Sequence, residues 1–312
     1  MTPGRTAAAV AWLSVGVLAG CSSVELAPYQ ADPVLAALPT SCTTPATGTA
    51  EPPDAPALVP GGIAVVRSEG REVVLVANRS CVVTVDAASG ATEPLPTHGD
   101  SIAPTMVDAT SSGLAFTSSL SGSVRAINAD GVVTFNVSGL NLPLGLRLMP
   151  GGYVLLAEFG NGRVLRAGPN ADSRLRLVVD GLEGPVDLVI VDATRGYVSE
   201  VNAGRVSEFR LDRYERRSVA SGLDRPEGIA LLPDGRIAVA ETGARRIVAV
   251  DPRNGRIQVL ADNLPIGLES PGGPGDPYSI SDLATGPDGT LYLSADRDRT
   301  LLRVTPRAMT RN

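Results

Sequence analysis

Between Gly61 and Pro306 the apolar residues fall in short runs that alternate with polar ones and stop at Gly, Asp or Pro. This is a strand-and-turn pattern, and helical periodicity is nearly absent. The runs repeat. Pro143-Leu144-Gly145-Leu146, Pro185-Val186-Asp187-Leu188 and Pro226-Glu227-Gly228-Ile229 lie 42 and 41 residues apart. Each is followed by a turn (Pro150-Gly151-Gly152, Asp192 to Gly196, Pro233-Asp234-Gly235) and a β-rich run (Tyr153 to Ala157, Tyr197 to Ser199, Arg236 to Ala240). An acidic residue, a Gly/Asn loop and an Arg before a β-branched residue complete the unit. Fainter copies start near Gly61, Ile102 and Ile280. Six units of four short strands predict an all-β chain, a six-bladed β-propeller of four-stranded antiparallel blades, because radial repetition leaves only short protected edges. The blades are predicted to start near residues 61, 102, 143, 185, 226 and 280, with Leu264 to Ser279 as a looped insertion.

The N-terminal segment has a different character. Arg5 precedes an apolar stretch, Ala7 to Leu18, that is too short for an ordinary membrane span and reads as a signal peptide over residues 1–20. Leu18-Ala19-Gly20-Cys21 resembles the bacterial lipobox. That resemblance implies that Cys21 becomes the first mature residue and carries a lipid. The chain would then be an extracytoplasmic lipoprotein anchored to a membrane through Cys21, in the periplasm or at the cell surface. Residues 21–60, rich in Ser, Thr and Pro, are expected to be a flexible tether, with Val34, Leu35 and Leu38 able to dock locally. Residues 307–312 form a C-terminal tail. Cys42 and Cys81 predict a disulfide in an oxidising compartment, closing a loop worth roughly 4 kcal/mol; two separate buried thiols are the alternative.

Composition removes whole classes of chemistry. All 27 basic residues are Arg, so Lys-dependent phosphate loops and Schiff bases are excluded. The single histidine, His98, rules out metal centres with two or more His ligands. A net charge of −6 is the wrong sign for a phosphate-backbone binder, so no nucleic-acid partner is expected. The one tryptophan, Trp12, lies in the signal peptide, so no Trp-Asp repeat exists.

Two sets of carboxylates stand out. The pairs Glu158–Arg163, Glu200–Arg205 and Glu241–Arg246 recur five residues apart across the loop joining second and third strands. A group that chemistry requires need occur once, whereas one that the repeat requires recurs with it. These pairs are therefore expected to be structural salt bridges. Glu227, Asp187 and Asp282 come from the starts of three innermost strands. Converging near the axis, they would need protons, water or a bridging cation, and Ca²⁺ suits such oxygen ligands. His98 beside Asp100 and Ser101, and Asp296-Arg297-Asp298, read as surface turns.

The run Pro226-Glu-Gly-Ile-Ala-Leu-Leu-Pro-Asp-Gly-Arg-Ile-Ala-Val-Ala-Glu-Thr-Gly resembles the repeat of NHL propellers and of the senescence-marker/gluconolactonase superfamily. The resemblance implies a six-bladed propeller over residues 61–306. In its lactonase branch it implies a divalent metal on the axis, with Glu227 in a ligand slot and a polar ligand where this chain has Leu144. Two functions follow. One is a monomeric membrane-anchored module binding a protein, peptide or small ligand, with no cofactor. The other is a Ca²⁺-dependent lactonase or esterase. A virginiamycin-type lyase would have to use His98.

Overall fold

The structure is a computed structural model that describes residues 29–35, 38, 59–78, 81–95, 103–110, 113–118, 121–128, 132–168, 175–268 and 280–306. An N-terminal strand, β1 (Tyr29–Leu35), precedes the first blade. Blade 1 holds β2 (Ile63–Ser68), β3 (Arg71–Ala77), β4 (Val82–Asp86) and β5 (Thr92–Leu95). Blade 2 holds β6 (Met106–Thr110), β7 (Gly113–Ser118), β8 (Ser123–Asn128) and β9 (Val133–Val137). Blade 3 holds β10 (Pro143–Met149), β11 (Tyr153–Glu158), β12 (Arg163–Ala167) and β13 (Arg176–Val179). Blade 4 holds β14 (Pro185–Asp192), β15 (Arg195–Glu200), β16 (Arg205–Arg210) and β17 (Arg216–Ser221). Blade 5 holds β18 (Pro226–Leu231), β19 (Ile237–Glu241), β20 (Arg246–Val250) and β21 (Ile257–Ala261). The chain ends with β22 (Leu283–Thr285), β23 (Leu291–Ala295) and β24 (Thr300–Pro306).

Six four-stranded antiparallel sheets result, and the only helical element among the described residues is a 3₁₀ turn at Phe159–Asn161. The all-β, six-bladed architecture is therefore the one the repeat predicts. Each innermost strand starts at one face, the mouth face, and runs to a turn at the opposite face, such as Pro233-Asp234-Gly235. The apolar core lies between blades. Val189, Tyr197 and Val206 of blade 4, for example, pack on Ile229, Val239 and Val248 of blade 5. Alternation along the inner and middle strands gives one apolar face to each neighbouring blade, so these strands are buried on both sides, while the outermost strands are partly exposed.

The tether expected over residues 21–60 is corrected at Tyr29–Leu35. The C-terminal end of the chain supplies only three strands to blade 6, leaving the outer edge of β24 unpaired. β1 fills that edge antiparallel, from Tyr29 opposite Pro306 to Leu35 opposite Leu301. The strand is hidden in the sequence because Pro33 interrupts it. Proline is admissible here because the strand is an edge, with a register shift between Pro33 and Leu35. Val34, Leu35 and Leu38 then pack beside Val74, Val76 and Tyr292, and the Leu38 N–H donates to the Arg299 carbonyl at 3.0 Å. The ring is thus closed by joining both ends of the folded chain in one sheet.

Cys81 sits in that same cluster, 6% exposed, with its N–H bonded to Asn78 Oδ1 at 3.0 Å. Its expected partner Cys42 lies outside the described residues, as do Cys21, His98, the signal peptide and residues 307–312.

Closure by β1 is testable. A chain starting at residue 36 should be roughly 3 kcal/mol or more less stable in urea than one starting at residue 22, the scale of one or two apolar side chains returned to water. Equal midpoints would show that β1 does not hold the ring.

Candidate functional site

The recurring Glu–Arg pairs are clamps at the mouth face. Glu158, Glu200 and Glu241 end the second strands, are fully buried, and stand directly opposite Arg163, Arg205 and Arg246 in the register. Arg205 reaches Glu200 at 2.7 Å and Arg246 reaches Glu241 at 2.5 Å; Arg163 bonds Glu158 likewise. The second oxygen or the same carboxylate also accepts a backbone N–H from the loop ahead of the inner strand. The donors are Asn141 at 2.8 Å, Glu183 at 2.7 Å and Asp224 at 2.8 Å. Burial raises the pKa of Glu158 and Glu200, but these hydrogen bonds outweigh it and the net shift is downward.

Nearer the axis the blades alternate in a way that the 41-residue repeat conceals. At one position of the innermost strand the odd blades carry Gly62, Gly145 and Gly228, and the even blades carry Met106, Asp187 and Asp282. A Cβ on Gly145 would lie 2.5 Å from the Asp187 Cα. On Gly228 it would lie 2.5 Å from the Asp282 Cα, and on Gly62 2.6 Å from the Met106 Cα. Glycine is required because two backbones touch there. Gly62 N–H bonds Thr105 O at 2.9 Å and Gly228 N–H bonds Ser281 O at 3.1 Å, joining blade 1 to 2 and 5 to 6.

The other three junctions use side chains. Asp187 Oδ2 accepts the Ile229 N–H of blade 5 at 3.0 Å, and Asp282 Oδ2 accepts the Ile63 N–H of blade 1 at 2.8 Å. In blade 2, where that position is Met106, Asp108 two residues on accepts the Leu148 N–H of blade 3 at 2.6 Å. Hydroxyls follow the same rhythm. Thr117, Ser199 and Ser294 occupy a second-strand position held by Ala77, Ala157 and Ala240 in the odd blades. Thr117 donates to Leu144 O at 2.8 Å and Ser199 to Glu227 O at 2.5 Å, each on the next blade.

Asp187 and Asp282 are brought together with two residues that the sequence reading did not single out, Asp108 and Arg147. Arg147 Nη2 is 3.1 Å from Asp187 Oδ2 and its Nη1 donates to Leu146 O at 2.6 Å. Burial lowers the Arg147 pKa, but the charges of Asp187, Asp108 and Asp282 more than reverse this. One cation faces three carboxyls. Burial and the Asp187 charge push Asp282 well above the usual carboxylate range, and burial also raises Asp108. Asp187 Oδ1 is buried without a partner, and the proton that Asp282 retains is the donor it lacks. A charged residue at the position of Asp108 and Arg147, which is Ala64, Val189, Ala230 or Ala284 in the other blades, was the available signal in the sequence.

Glu227 lies apart from them. Its Oε1 is 2.9 Å from Thr242 Oγ1 and its Oε2 accepts the Ser281 N–H at 2.9 Å; Arg225 Nη2 is 3.9 Å away. The Thr242 hydroxyl also reaches Arg225 O at 3.0 Å, and it has one hydrogen. Donating that hydrogen to the carbonyl leaves a lone pair to accept from a protonated Glu227. Residues 264–268 cover the group. Ile266 is fully buried, Leu268 N–H bonds Asp296 Oδ2 at 2.9 Å, and Gly267 lies against the Thr242 carbonyl. Burial, reinforced by the Asp296 charge, raises Glu227 to about 7 against its hydrogen bonds and Arg225. The backbone ahead of the inner strand is strained here, since Arg225 precedes Pro226 with φ 51° and Leu142 precedes Pro143 with φ 51°.

The residues do not fit a divalent cation. Glu227, Asp187 and Asp282 form two separate groups, Arg147 occupies the acidic one, and Leu144 is buried and apolar. Among the described residues, no cluster of three or more His, Cys, Asp or Glu is arranged to hold a metal. The recurrence argument that makes the Glu–Arg pairs structural applies equally to Asp187 and Asp282.

Two predictions follow from the charges. The folded chain keeps the Glu227 proton to about pH 7, whereas an unfolded Glu releases it near 4.5. The stability it contributes is full below pH 4.5 and lost as pH rises through 7, roughly 3 kcal/mol for a shift of this size. Glu227→Gln, whose amide can donate to Thr242 while its oxygen accepts from Ser281, should match the parent at pH 4.5 and exceed it by about 2 kcal/mol at pH 8 in urea melts. Arg147→Met should cost about 3 kcal/mol at pH 8 and less at lower pH, because burial already raises the neighbouring Asp108 and Asp282 toward their neutral forms; a pH-independent loss would mean that packing alone is involved.

The sequence matches no family model and no curated protein. Solved structures share the fold. A gluconolactonase from Xanthomonas campestris superposes with a TM-score of 0.64 at 14% identity, over 89% of this chain and 90% of that one. A virginiamycin B lyase from Staphylococcus aureus superposes with a TM-score of 0.58 at 13% identity, over 89% and 100%. A chain of a nidogen/laminin complex does so at 0.58 and 14%, over 74% and 86%. Enzymes and a binding protein alike share this propeller, so these similarities establish the architecture and leave function to the residues.

Proposed function

We propose that this chain is a binding module, displayed outside the cytoplasm on a lipid attached to Cys21, whose ligand seat is a cleft between blades 1 and 2. The observation that carries the reading is the contrast between two regions. The acidic groups of the axis spend their hydrogen-bonding capacity on neighbouring blades. The cleft offers a volume of about 1010 Å³ with an apolar floor and a charged rim. Val65, Val73, Leu75, Leu95, Leu114 and Ile127 line it, with Arg67, Arg71, Asp86 and Glu93 above. A concave surface of this size, part apolar and part polar, suits a small amphipathic ligand.

No step of catalysis is assigned. A lactonase mechanism needs a cation to polarise a carbonyl or activate water, and the mouth residues do not fit one. The resemblance in the repeat and the shared fold leave that reading with architecture alone.

The test uses an anionic anilinonaphthalene dye as an apolar probe on the chain without residues 1–21. Saturable fluorescence enhancement that falls at least about tenfold in affinity on Val73→Asp, a carboxylate placed in the apolar floor, supports the seat. Binding unchanged by that substitution would relocate it. A calcium titration by calorimetry should be flat; heat of binding together with a raised melting temperature, or metal-dependent turnover of a lactone or ester, would sink the proposal.

A further inference from the structure

With Cys21 lipidated as proposed above, the position of β1 decides which way the propeller faces. We infer that the face carrying the turns after the innermost strands is held against the phospholipid bilayer, and that the channel mouth points away from it.

β1 begins at the turn face. Tyr29 pairs with Pro306 at the far end of β24 and lines a small cavity of about 330 Å³ with Pro233, Asp234, Asp288 and Gly289. These are the turns of blades 5 and 6, so the chain enters the propeller at the turn face. β1 then runs to Leu35, whose carbonyl accepts the Thr300 hydroxyl, at the mouth face beside Arg299. The six residue steps from Tyr29 to Leu35 rise about 20 Å, which separates the two ends.

Eight residue steps link Cys21 to Tyr29. Whatever their conformation, they span at most about 29 Å, and a random-coil chain of that length averages about 16 Å end to end. The average falls short of the strand's own rise. Laying the mouth on the bilayer would require the link to be pulled nearly straight along the outside of blade 6, at an entropic cost. Presenting the turn face lets it stay coiled. The 40-residue tether expected from composition would have imposed no such orientation; its shortening to this link is what makes the inference possible.

The turn face is also electrostatically suited to a lipid surface. Four of its acids are paired locally with arginines, Asp192 with Arg195 at 2.9 Å, Asp212 with Arg210 at 3.1 Å, Asp234 with Arg236 at 2.7 Å and Asp251 with Arg253 at 2.9 Å. Local neutralisation leaves no concentrated negative field to be repelled by anionic headgroups, despite the net charge of −6. The blade 1–blade 2 cleft, lined by the turn-face ends of β2, β3, β6 and β7, then opens toward the membrane side.

The experiment exploits the loss of Trp12, the only tryptophan, with the signal peptide. The full chain is expressed in a lipidating bacterial host and reconstituted into vesicles of phosphatidylcholine and phosphatidylglycerol bearing nitroxide-labelled headgroups. Single tryptophans are introduced by Asp288→Trp at the turn face and by Asn161→Trp at the mouth face, both exposed positions. Gln30→Trp on β1 serves as a second turn-face probe if the first variant folds poorly. Quenching for the turn-face tryptophan should be at least about twice that for Asn161→Trp, since the faces are separated by about the length of a strand. Equal or reversed quenching in chains that float with the vesicles would overturn the orientation and leave the anchor standing. Chains that stay in the aqueous fraction, without added lipid mass on Cys21, would overturn the anchor and this inference with it.

Discussion

The hydrogen bond that one blade's carboxylate accepts from the next blade's backbone N–H, at every second junction around the axis, is the constraint on which the rest of this propeller rests. Asp108, Asp187 and Asp282 each make it, and the three junctions between them are closed by glycines that bring two backbones together. Six sheets must converge without leaving a void and without crowding. Close approach at every junction would demand a glycine in every blade, and a side chain in every blade would splay the ring. Alternation satisfies both demands, and makes the molecule three double blades rather than six equivalent ones.

Three carboxyls in a buried ring bring an electrostatic problem, because like charges in a poorly solvated space repel. The structure answers it with Arg147 on Asp187 and with burial that raises Asp282 and Asp108 toward their neutral forms. Glu227 reaches the same end by another route. Buried under residues 264–268, it keeps its proton toward neutrality and is hydrogen-bonded to a threonine hydroxyl. Perturbed carboxyls on a propeller axis invite a catalytic interpretation. Here each perturbation has a structural cause within the ring, and each acid has a protein partner where a substrate or metal would otherwise be required.

Closure of the ring and the proposed attachment to a membrane would share one segment. β1 completes blade 6 and so ties the N-terminal region to the C-terminal strand. The same strand fixes where a chain leading from Cys21 meets the folded unit. The proposed orientation toward a bilayer would in this sense be a by-product of the way the propeller solves its edge problem.

Much of this was legible in the sequence. Period-two runs between Gly, Asp and Pro turns specify short strands, and their 41-residue recurrence specifies six blades, since local alternation and turn chemistry act within a few residues. The Glu158–Arg163 type of clamp was legible for the same reason, its partners being five residues apart. The strand at Tyr29–Leu35 was not, because its pairing with β24 spans most of the chain and its own pattern is broken by Pro33. The grouping of the axial acids was not legible either. Asp187 and Asp282 lie 95 positions apart and meet only when blades 4 and 6 converge on the axis, where Arg147 of blade 3 joins them. The sequence by itself determined the strands, the blade count and the local clamps. The tertiary structure alone decided which carboxyls share a space, which keep their protons and where the ring closes, because burial and charge proximity are properties of the assembled ring and of no segment within it.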